Sequence, residues 1–325
     1  MNTQQSGKPI PVNTEGVDFT SYFESIRESR VIRTAADGAG YASVMNQLEN
    51  PKVGTPCALF ANGQFRFEKG DVTLWCGING HGKSLIVGQA MSQLMMKDER
   101  VFIMSLEMLP KFTFIRMMRQ AFGHKLTAAD APQVKEWFRW AATKLVYFDK
   151  VGSVSPSEVL GVMAYVSQIY ECKHIVIDNL MRVVSGEDDY NAQKNFVAQC
   201  CEVAMDFGVH VHLVHHVRKG EKETDEIGKF SIRGASSIAD QAANIILIQR
   251  NLAKERKRED KNLTPAEDAQ MADVTLNLAK HRNGDWQGRA PLWFCPASTA
   301  YSTSAERTVP PLWNGDTDNL DDVPY

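Results

Sequence analysis

The sequence predicts an α/β fold in which a mostly parallel sheet is covered by helices on both faces. Short apolar runs recur along the chain, and helical patterns separate the first several of them, as expected for strands joined by crossover helices. A glycine-rich loop also joins one run to a helical segment at residues 77–84. The runs expected to form strands are Val72–Cys76, Val101–Ser105, Leu145–Phe148, His174–Asp178, Val209–His215, Asn244–Gln249 and Val274–Ala279.

Local signals place two helix boundaries and one connection. Ser155–Glu158 has capping-box spacing with proline at the first helical position, so a helix should begin there. An apolar stripe from Phe196 to Phe207 predicts a helix that ends at Gly208. The charged run Lys254–Lys261 is expected to be a solvated surface loop.

The bulk composition is that of an ordinary globular protein. The 325 residues are 43% hydrophobic and 23% charged, and the net charge of −3 argues against wholesale coating of nucleic acid while allowing a local basic channel. The six cysteines form no CxxC pair, which predicts buried free thiols in a reducing compartment. Neither a signal peptide nor a membrane-spanning run is evident, so a cytoplasmic location without membrane contact is predicted.

Three regions are predicted from composition. Residues 1–53 are expected to be a flexible amino-terminal segment, with Phe19–Leu48 as an arm that packs on something else. Residues 54–305 are expected to form the folded α/β core. Residues 306–325 are expected to be an acidic, disordered tail.

The strongest motif is GxxxxGK[ST], which lies between an apolar strand and a helical segment. In that context the backbone N–H groups cradle phosphates at a helix N-terminus, Lys83 reaches the β- and γ-phosphates, and Ser84 binds Mg²⁺. The alternative is a chance match in a loop. The predicted ligands of ATP, or another nucleoside triphosphate, are Gly77, Gly80, His81, Gly82, Lys83 and Ser84.

Two carboxylates follow apolar strands. Asp178 ends one strand, where such an aspartate holds the metal in P-loop enzymes, although a helix-capping aspartate is the alternative. Glu107 follows another strand and is placed to polarise an attacking water. Taken alone, a solvated glutamate is the simpler interpretation of Glu107.

Several segments together resemble the hexameric replicative DNA helicases of the DnaB type and their phage and mitochondrial relatives, which have a RecA-like core. The likeness covers about residues 54–303. Its segments, besides the phosphate loop, are Ser105–Met108, Val176–Leu180, Leu213–Lys219, Ser231–Ser236 and Leu278–Gly284.

The resemblance implies roles for individual residues. Glu107 would be the catalytic base, Asp178 the Mg²⁺ ligand, and His216 the sensor of the γ-phosphate. Lys280 and Arg282 would reach into the site of the neighbouring subunit. A surface hairpin at residues 283–285 is the simpler interpretation of that segment, and both can hold because the turn would present the arginine.

Histidines cluster around His216, at positions 210, 212 and 215. A zinc site is disfavoured, because alternation along a strand sends neighbours to opposite faces and no cysteine or acid has ligand-like spacing.

Single-stranded DNA contacts are expected from two loops after residue 217. Mobile backbone amides and small side chains there could follow phosphates without reading bases. Acidic neighbours weaken the electrostatic case, so a solvated, non-binding first loop remains an alternative. The candidate DNA-binding residues are Arg218, Lys219, Lys229, Arg233 and Gly234.

The chain departs from bacterial members of the family. The segment before the core is expected to be too short for a helical collar domain, and no primase domain or zinc-binding cysteine set is expected there, so a primase and a loader would be separate proteins. The tail resembles the peptide by which single-strand-binding proteins recruit partners, which implies contact with a DNA polymerase or a single-strand-binding protein. A disordered solubilising tail is the alternative. The candidate tail residues are Asp321, Asp322, Pro324 and Tyr325.

The function implied is an ATP-dependent replicative helicase that encircles single-stranded DNA as a homo-oligomer, expected to be a hexamer, and unwinds duplex. Movement from 5′ to 3′ rests on the resemblance alone. Two rivals share the fold: a RecA-type recombinase or annealing ATPase, and an ATP-gated loader or scaffold. The sequence gives neither the subunit number, the nucleotide preference nor the loading route.

Overall fold

A nine-stranded sheet lies at the centre of the structure, a computed structural model that describes residues 16–26, 38–49, 53–184, 189–217, 235–309, 311–313 and 315. Its strands are β3 (Val72–Gly77), β4 (Val101–Ser105), β5 (Leu145–Tyr147), β6 (His174–Asp178), β7 (His210–His216), β8 (Asn244–Arg250), β9 (Val274–His281), β10 (Gly288–Cys295) and β11 (Ala300–Ser302). A separate two-stranded sheet pairs β1 (Thr55–Pro56) with β2 (Arg66–Phe67).

The strand order is β11-β10-β9-β8-β3-β7-β6-β4-β5. All pairs from β8 to β5 are parallel, whereas β9, β10 and β11 continue the sheet antiparallel. The mostly parallel sheet predicted from the sequence is confirmed, and each predicted apolar run forms a strand with ends shifted by at most two residues.

Helices cover both faces of this sheet. Ser155 caps one of them by accepting a hydrogen bond from the Glu158 amide at 3.2 Å, and Gly208 ends another in the left-handed conformation, as the sequence predicts. The helices are α1 (Phe19–Ile26), α2 (Gly38–Glu49), α3 (Lys83–Met95), α4 (Pro110–Phe122), α5 (Ala131–Ala142), α6 (Pro156–Ile169), α7 (Tyr190–Phe207), α8 (Ala235–Gln241), α9 (Leu252–Glu259) and α10 (Pro265–Gln270).

Alternation along the strands divides the core into two layers. Leu74 of β3 packs with α6 and α7 on one face, while its neighbour Trp75 packs with α3 and α5 on the other. Because apolar side chains are needed on both faces, the parallel strands read as continuous apolar runs. Among the described helices, none is long and apolar enough to cross a membrane.

The arm expected at Phe19–Leu48 is described in part. Helix α1 packs on α6 of the same chain, where the Phe19 ring lies 5.5 Å from the Tyr165 ring. Gly161 of α6 permits this approach, because the Phe19 carbonyl occupies the place of a Cβ atom. That the arm links subunits remains a prediction. The boundaries of the three predicted regions, at residues 53 and 305, also remain predictions.

The expectation of a solvated loop at Lys254–Lys261 is wrong, because Leu252–Glu259 forms α9 and the Lys254 side chain is fully buried. The Lys254 ammonium lies 3.0 Å from Asp268 and 2.9 Å from Asp273. Burial disfavours the charged form of Asp268, but hydrogen bonds from arginine and lysine side chains outweigh this and lower its pKa. The charged run at residues 254–261 therefore contributes to a buried cluster of ion pairs instead of forming a solvated loop.

Replacing Lys254 by methionine is expected to destabilise the chain by about 3 kcal/mol, since removing one partner leaves buried charge uncompensated. The remaining pairs of both aspartates with Arg258 and Arg307 keep the loss from being larger. Urea unfolding measures the change. The matched control is Lys257→Met, whose half-exposed ion pair with Glu267 should contribute less than about 1 kcal/mol. Equal effects would show that the buried cluster contributes no more than a surface pair.

Candidate active site

The candidate catalytic residues meet at the carboxyl edge of the parallel strands. Gly77 ends β3 directly opposite His216 at the end of β7, and Asp178 ends β6 opposite Ser105. Glu107 follows β4 by two residues. Parallel strands that end together bring distant parts of the chain to one crevice, which is where ligands bind in open α/β sheets.

The phosphate loop has the geometry of an anion cradle. Gly80 and Gly82 both have φ of +82°, a conformation that glycine adopts without steric cost. Helix α3 begins at Lys83, and no side chain in the described part of the molecule caps its N-terminus. The amides of this first turn therefore point into the loop, where the helix dipole favours negative charge.

The Lys83 side chain is buried beneath the phosphate loop. Its ammonium donates to the Gly77 carbonyl at 3.0 Å and to the Ile78 carbonyl at 3.1 Å. Burial lowers the pKa of Lys83, and the nearby Asp178 carboxylate partly offsets this effect. The backbone thus holds the lysine in place within the loop.

His216 connects Lys83 to the next strand. The Lys83 ammonium lies 3.0 Å from Nδ1 of His216, and Nε2 of His216 lies 2.8 Å from the amide group of Asn179. Since Nδ1 accepts from the ammonium, a neutral ring carries its proton on Nε2 and must donate to Asn179. The buried Asn179 oxygen has no other hydrogen-bond partner among the described atoms, so the amide orientation that directs Oδ1 to His216 satisfies both groups.

Ser84 and Asp178 form a pair suited to a hard cation. The Ser84 hydroxyl hydrogen-bonds the buried Asp178 carboxylate; burial raises the pKa of Asp178, and the Glu107 charge adds to the rise. A hydroxyl and a carboxylate at the floor of a phosphate loop are the oxygen donors that Mg²⁺ prefers. The residues present therefore fit a magnesium-nucleotide complex.

Glu107 is half exposed and pairs with Arg182, whose Nε lies 3.4 Å from its carboxylate. The Glu107 charge acts on both Lys83 and Asp178, which places it at the same edge of the sheet. The carboxylate is therefore positioned beside the phosphate loop and exposed to water.

Lys280 and Arg282 are not part of this crevice. They lie where β9 pairs with the start of β8, whereas the phosphate loop follows the end of β3. Through Ile245, Lys280 lies level with Leu74 of β3, three residues or about 10 Å before Gly77, and Arg282 lies further from the loop. Lys280 donates to the Ala239 carbonyl at 2.8 Å and Arg282 to the Asp240 carbonyl at 2.6 Å, so both bases cap the C-terminal end of α8. Strands β9 and β10 form the predicted hairpin around residues 283–285.

A cavity of about 660 Å³ opens beside the phosphate loop. Its lining includes Gly80, Gly82, Arg250, Phe294 and Tyr301. Its volume is in the range of small-molecule sites. The residues that line this cavity on the side of Arg250 and Tyr301 were not predicted from the sequence. Arg250 could have been found as a base at a strand end, but Tyr301 carries no local signal because its place depends on the packing of β11.

Two hydrogen bonds join Tyr301 to α3, the helix that follows the phosphate loop. The Gln89 side chain of α3 donates to the Tyr301 carbonyl at 2.8 Å and accepts from its amide at 2.7 Å. A Cβ atom on Gly82 would lie 2.7 Å from the Tyr301 hydroxyl. The tyrosine therefore closes one side of the loop and requires glycine at position 82.

Substituting Gly82 by alanine is expected to weaken ATP binding more than substituting Gly80. Both changes force a side chain into the left-handed region, at roughly 1–2 kcal/mol. At position 82 the added carbon also meets the Tyr301 hydroxyl, whereas at position 80 the nearest atom, on Arg250, is 4.0 Å away. Titration with a fluorescent ATP analogue measures both affinities. The combination of Gly82→Ala with Tyr301→Phe should recover part of the loss, and equal affinities for the two alanine variants would contradict the steric account.

The other histidines of the β7 cluster, His210, His212 and His215, are core residues. His174, His210 and His212 are buried side by side, and none of the described residues forms a cluster suited to a metal ion. Nε2 of His210 lies 2.8 Å from the Thr73 hydroxyl, and Nδ1 of His174 lies 3.1 Å from Nε2 of His212.

Two groups of predicted residues lie outside the described part of the chain. They are the DNA-binding candidates Arg218, Lys219, Lys229, Arg233 and Gly234, and the tail candidates Asp321, Asp322, Pro324 and Tyr325.

Comparison with known proteins supports this architecture. A family model described as an AAA domain matches residues 66–222. The chain is similar to a DnaB-like replicative helicase, whose structure was described with its interactions with primase, at a TM-score of 0.65 and 15% identity over 83% of this chain and 67% of that chain. It is similar to the ATPase domain of G40P at a TM-score of 0.63 and 16% identity over 83% of this chain and 99% of that chain. The chain therefore has a RecA-like fold, which it shares with the DnaB-like helicase and with the ATPase domain of G40P.

Proposed function

We propose that the protein is an ATP-driven DNA helicase motor that acts as a ring on single-stranded DNA. The observation that carries the proposal is the separation of Lys83, Asp178 and His216, at one edge of the sheet, from Lys280 and Arg282 near the opposite end of the neighbouring strands. Among the described residues of one chain, Lys280 and Arg282 do not lie at its phosphate site. A second copy that brings its Arg282 to this edge would complete the site.

Within one subunit, different residues would bind the phosphates, hold the metal ion and accept the proton of water. The first-turn amides of α3 and Lys83 hold the phosphates, and Ser84 with Asp178 would hold Mg²⁺. Bound Mg²⁺ supplies charge neutralisation on the phosphate oxygens. Glu107 is placed to take the proton of an attacking water, while His216 touches Lys83 and leads through β7 to the segment after residue 217.

The base and ribose of the nucleotide are expected in the cavity beside the loop. Tyr301 and Phe294 offer aromatic surface there, and Arg250 offers a cation held by Glu255 at 2.8 Å. Aromatic faces and an arginine can stack on any base, so this wall alone predicts little preference among nucleotides.

The other partners extend the proposal. Residues Arg218, Lys219, Lys229, Arg233 and Gly234 would line the DNA channel of a ring expected to have six subunits, with movement from 5′ to 3′. A separate primase, and a polymerase or single-strand-binding protein reached through the acidic tail, would complete the replication machinery. The similarity to a helicase described with its interactions with primase supports this direction.

The test is ATP-dependent unwinding of forked DNA with one tail blocked at a time. Unwinding that requires a free 5′ tail would support the proposal. The Arg256→Ala variant, which removes an exposed arginine from α9, is the control for the Arg282→Ala variant and should retain unwinding activity. Hydrolysis with strand exchange but no unwinding would indicate a recombinase. Very slow DNA-stimulated turnover despite tight ATP binding would indicate a loader or scaffold.

A further inference from the structure

Asn179 lies where two strands that carry candidate catalytic residues end together. It follows Asp178 at the end of β6, and β6 pairs in parallel with β7, which ends at His216. The Asn179 side chain is fully buried, and its carbonyl accepts a hydrogen bond from the Arg182 amide at 3.1 Å. The backbone therefore holds the side-chain amide in place, 2.8 Å from Nε2 of His216.

The two partners of the His216 ring determine where its proton lies. The Lys83 ammonium carries three protons and no lone pair, so Nδ1 of His216 must accept its hydrogen bond, at 3.0 Å. A doubly protonated ring would instead direct a proton and a positive charge at the ammonium. The ring is therefore neutral, with its proton on Nε2 and directed at the Asn179 oxygen. No donor among the described atoms reaches the other end of this amide, so nothing there requires an oxygen.

This position of the proton limits how His216 can respond to a nucleotide. While the Nε2 proton is donated to Asn179, the ring presents only a lone pair at Nδ1, and a phosphate oxygen also presents only lone pairs. A direct hydrogen bond between Nδ1 and a phosphate is therefore excluded. Lys83 can bind both groups, because it donates to Nδ1 and is also the residue expected to reach the β- and γ-phosphates.

We propose that Asn179 is a positioning residue that fixes the proton of His216 on Nε2, so that His216 responds to the nucleotide through Lys83 and not by direct contact with a phosphate. Phosphates that attract the ammonium remove the Lys83 donor from Nδ1, and His216, the last residue of β7, registers its loss. This inference rests on the proposed nucleotide site, but neither on unwinding nor on a ring.

Magic-angle-spinning NMR of the full chain, labelled with ¹⁵N-histidine, reports the protonation of each ring nitrogen, and His216→Gln identifies the His216 signals. Without nucleotide, Nε2 should be protonated and Nδ1 unprotonated. With Mg²⁺ and the β,γ-imido analogue of ATP, the Nδ1 shift should change because Lys83 leaves, while Nδ1 stays unprotonated. A protonated Nδ1 in either state, or a bound analogue that leaves the Nδ1 shift unchanged, would overturn the proposal. Failure of the analogue to bind is a distinct result, since it would refute the nucleotide site itself.

Two variants isolate the contribution of the Asn179 oxygen. Asn179→Asp keeps an acceptor but adds negative charge, which favours the doubly protonated ring, so Nδ1 should gain a proton. Asn179→Leu is similar in size but has no acceptor, so the Nε2 proton should exchange with water about fivefold faster, as expected for the loss of one hydrogen bond. The matched control is Asn244→Leu, an equally buried amide at the start of β8, which should leave the His216 signals unchanged. Native His216 signals in both Asn179 variants would show that Asn179 only fills space.

Steady-state hydrolysis gives an independent measurement of the same role. Asn179→Leu should lower kcat about fivefold and change KM by less than about twofold. Because Asn179 acts through His216, adding Asn179→Leu to a His216→Ala variant should lower kcat no further. Losses that multiply in the double variant would show that Asn179 acts independently of His216 and would contradict the positioning role.

Discussion

Replacing Arg282 by alanine is expected to lower ATP hydrolysis by about 10³-fold or more while ATP binding stays close to that of the native protein. An arginine finger stabilises charge that develops only during phosphoryl transfer, and such fingers contribute about 10³–10⁵ in rate. Arg282 lies near the opposite end of the strands from the phosphate loop of its own chain, so it adds little to nucleotide affinity within that chain. Steady-state hydrolysis and ATP-analogue titration measure the two effects separately.

A purely local role for Arg282 gives a different result. Its guanidinium caps α8 through the carbonyls of Asp240 and Gln241, and loss of a helix cap costs about 1 kcal/mol. If capping is its only role, the variant melts at a lower temperature but hydrolyses ATP at the native rate well below that temperature. Arg256→Ala, which removes an exposed arginine from α9, is the control for general charge loss.

Acid is expected to unfold the protein through three buried histidines. Burial lowers the pKa of His210 to about 4, and lowers those of His174 and His212 well below the usual value. Below pH 6.5 the unfolded chain binds protons at these rings while the folded chain does not. The free energy of unfolding therefore falls as the pH drops from 6.5 towards 4, and it is fully retained above 6.5.

The three rings act in the same direction, so their losses of stability add between pH 7 and pH 5. His210 alone accounts for about 3 kcal/mol by pH 4. The raised pKa values of Asp71 and Asp178 act in the opposite direction and reduce the total. Urea unfolding across this pH range measures the change.

His210→Gln isolates the effect of one ring. This variant should be less stable at pH 7.5, because the hydrogen bond to Thr73 is disturbed. Its unfolding should take up about one proton fewer, so its free energy of unfolding should depend less steeply on pH. The matched control is His124→Gln: His124 is exposed and paired with Asp130, which raises its pKa, so no loss of pH dependence of this kind is expected. An unfolding reaction of native protein that takes up less than one proton near pH 5.5 would contradict the account.

The parallel part of the sheet could be predicted because its strands are buried on both faces and appear as continuous apolar runs. Strand β10 was missed because Arg289 and Pro291 interrupt its apolar pattern and only some of its side chains are buried. Helix α9 was mistaken for a loop because the burial of Lys254 depends on Asp268 and Asp273, which lie beyond α9 in the sequence. Local patterns cannot report contacts of that kind.

The phosphate loop could be predicted because its residues are adjacent in sequence. The contact between His216 and Asn179 depends on the pairing of β6 with β7, and the wall formed by Tyr301 depends on the packing of β11 against α3. The buried histidines show the same limit. His174 faces His210 only because β6 and β7 are in register, which the spacing of His210, His212 and His215 along the sequence does not reveal.

The central claim is that two copies build each hydrolytic site, and mixing two inactive variants tests it most directly. Lys83→Ala removes the phosphate-binding lysine and keeps Arg282, whereas Arg282→Ala does the reverse. In mixed rings about a quarter of the interfaces join an intact Lys83 to an intact Arg282, so hydrolysis should reappear on mixing. No recovery, in mixtures that are shown by differential tagging to co-assemble, would contradict a site shared between subunits.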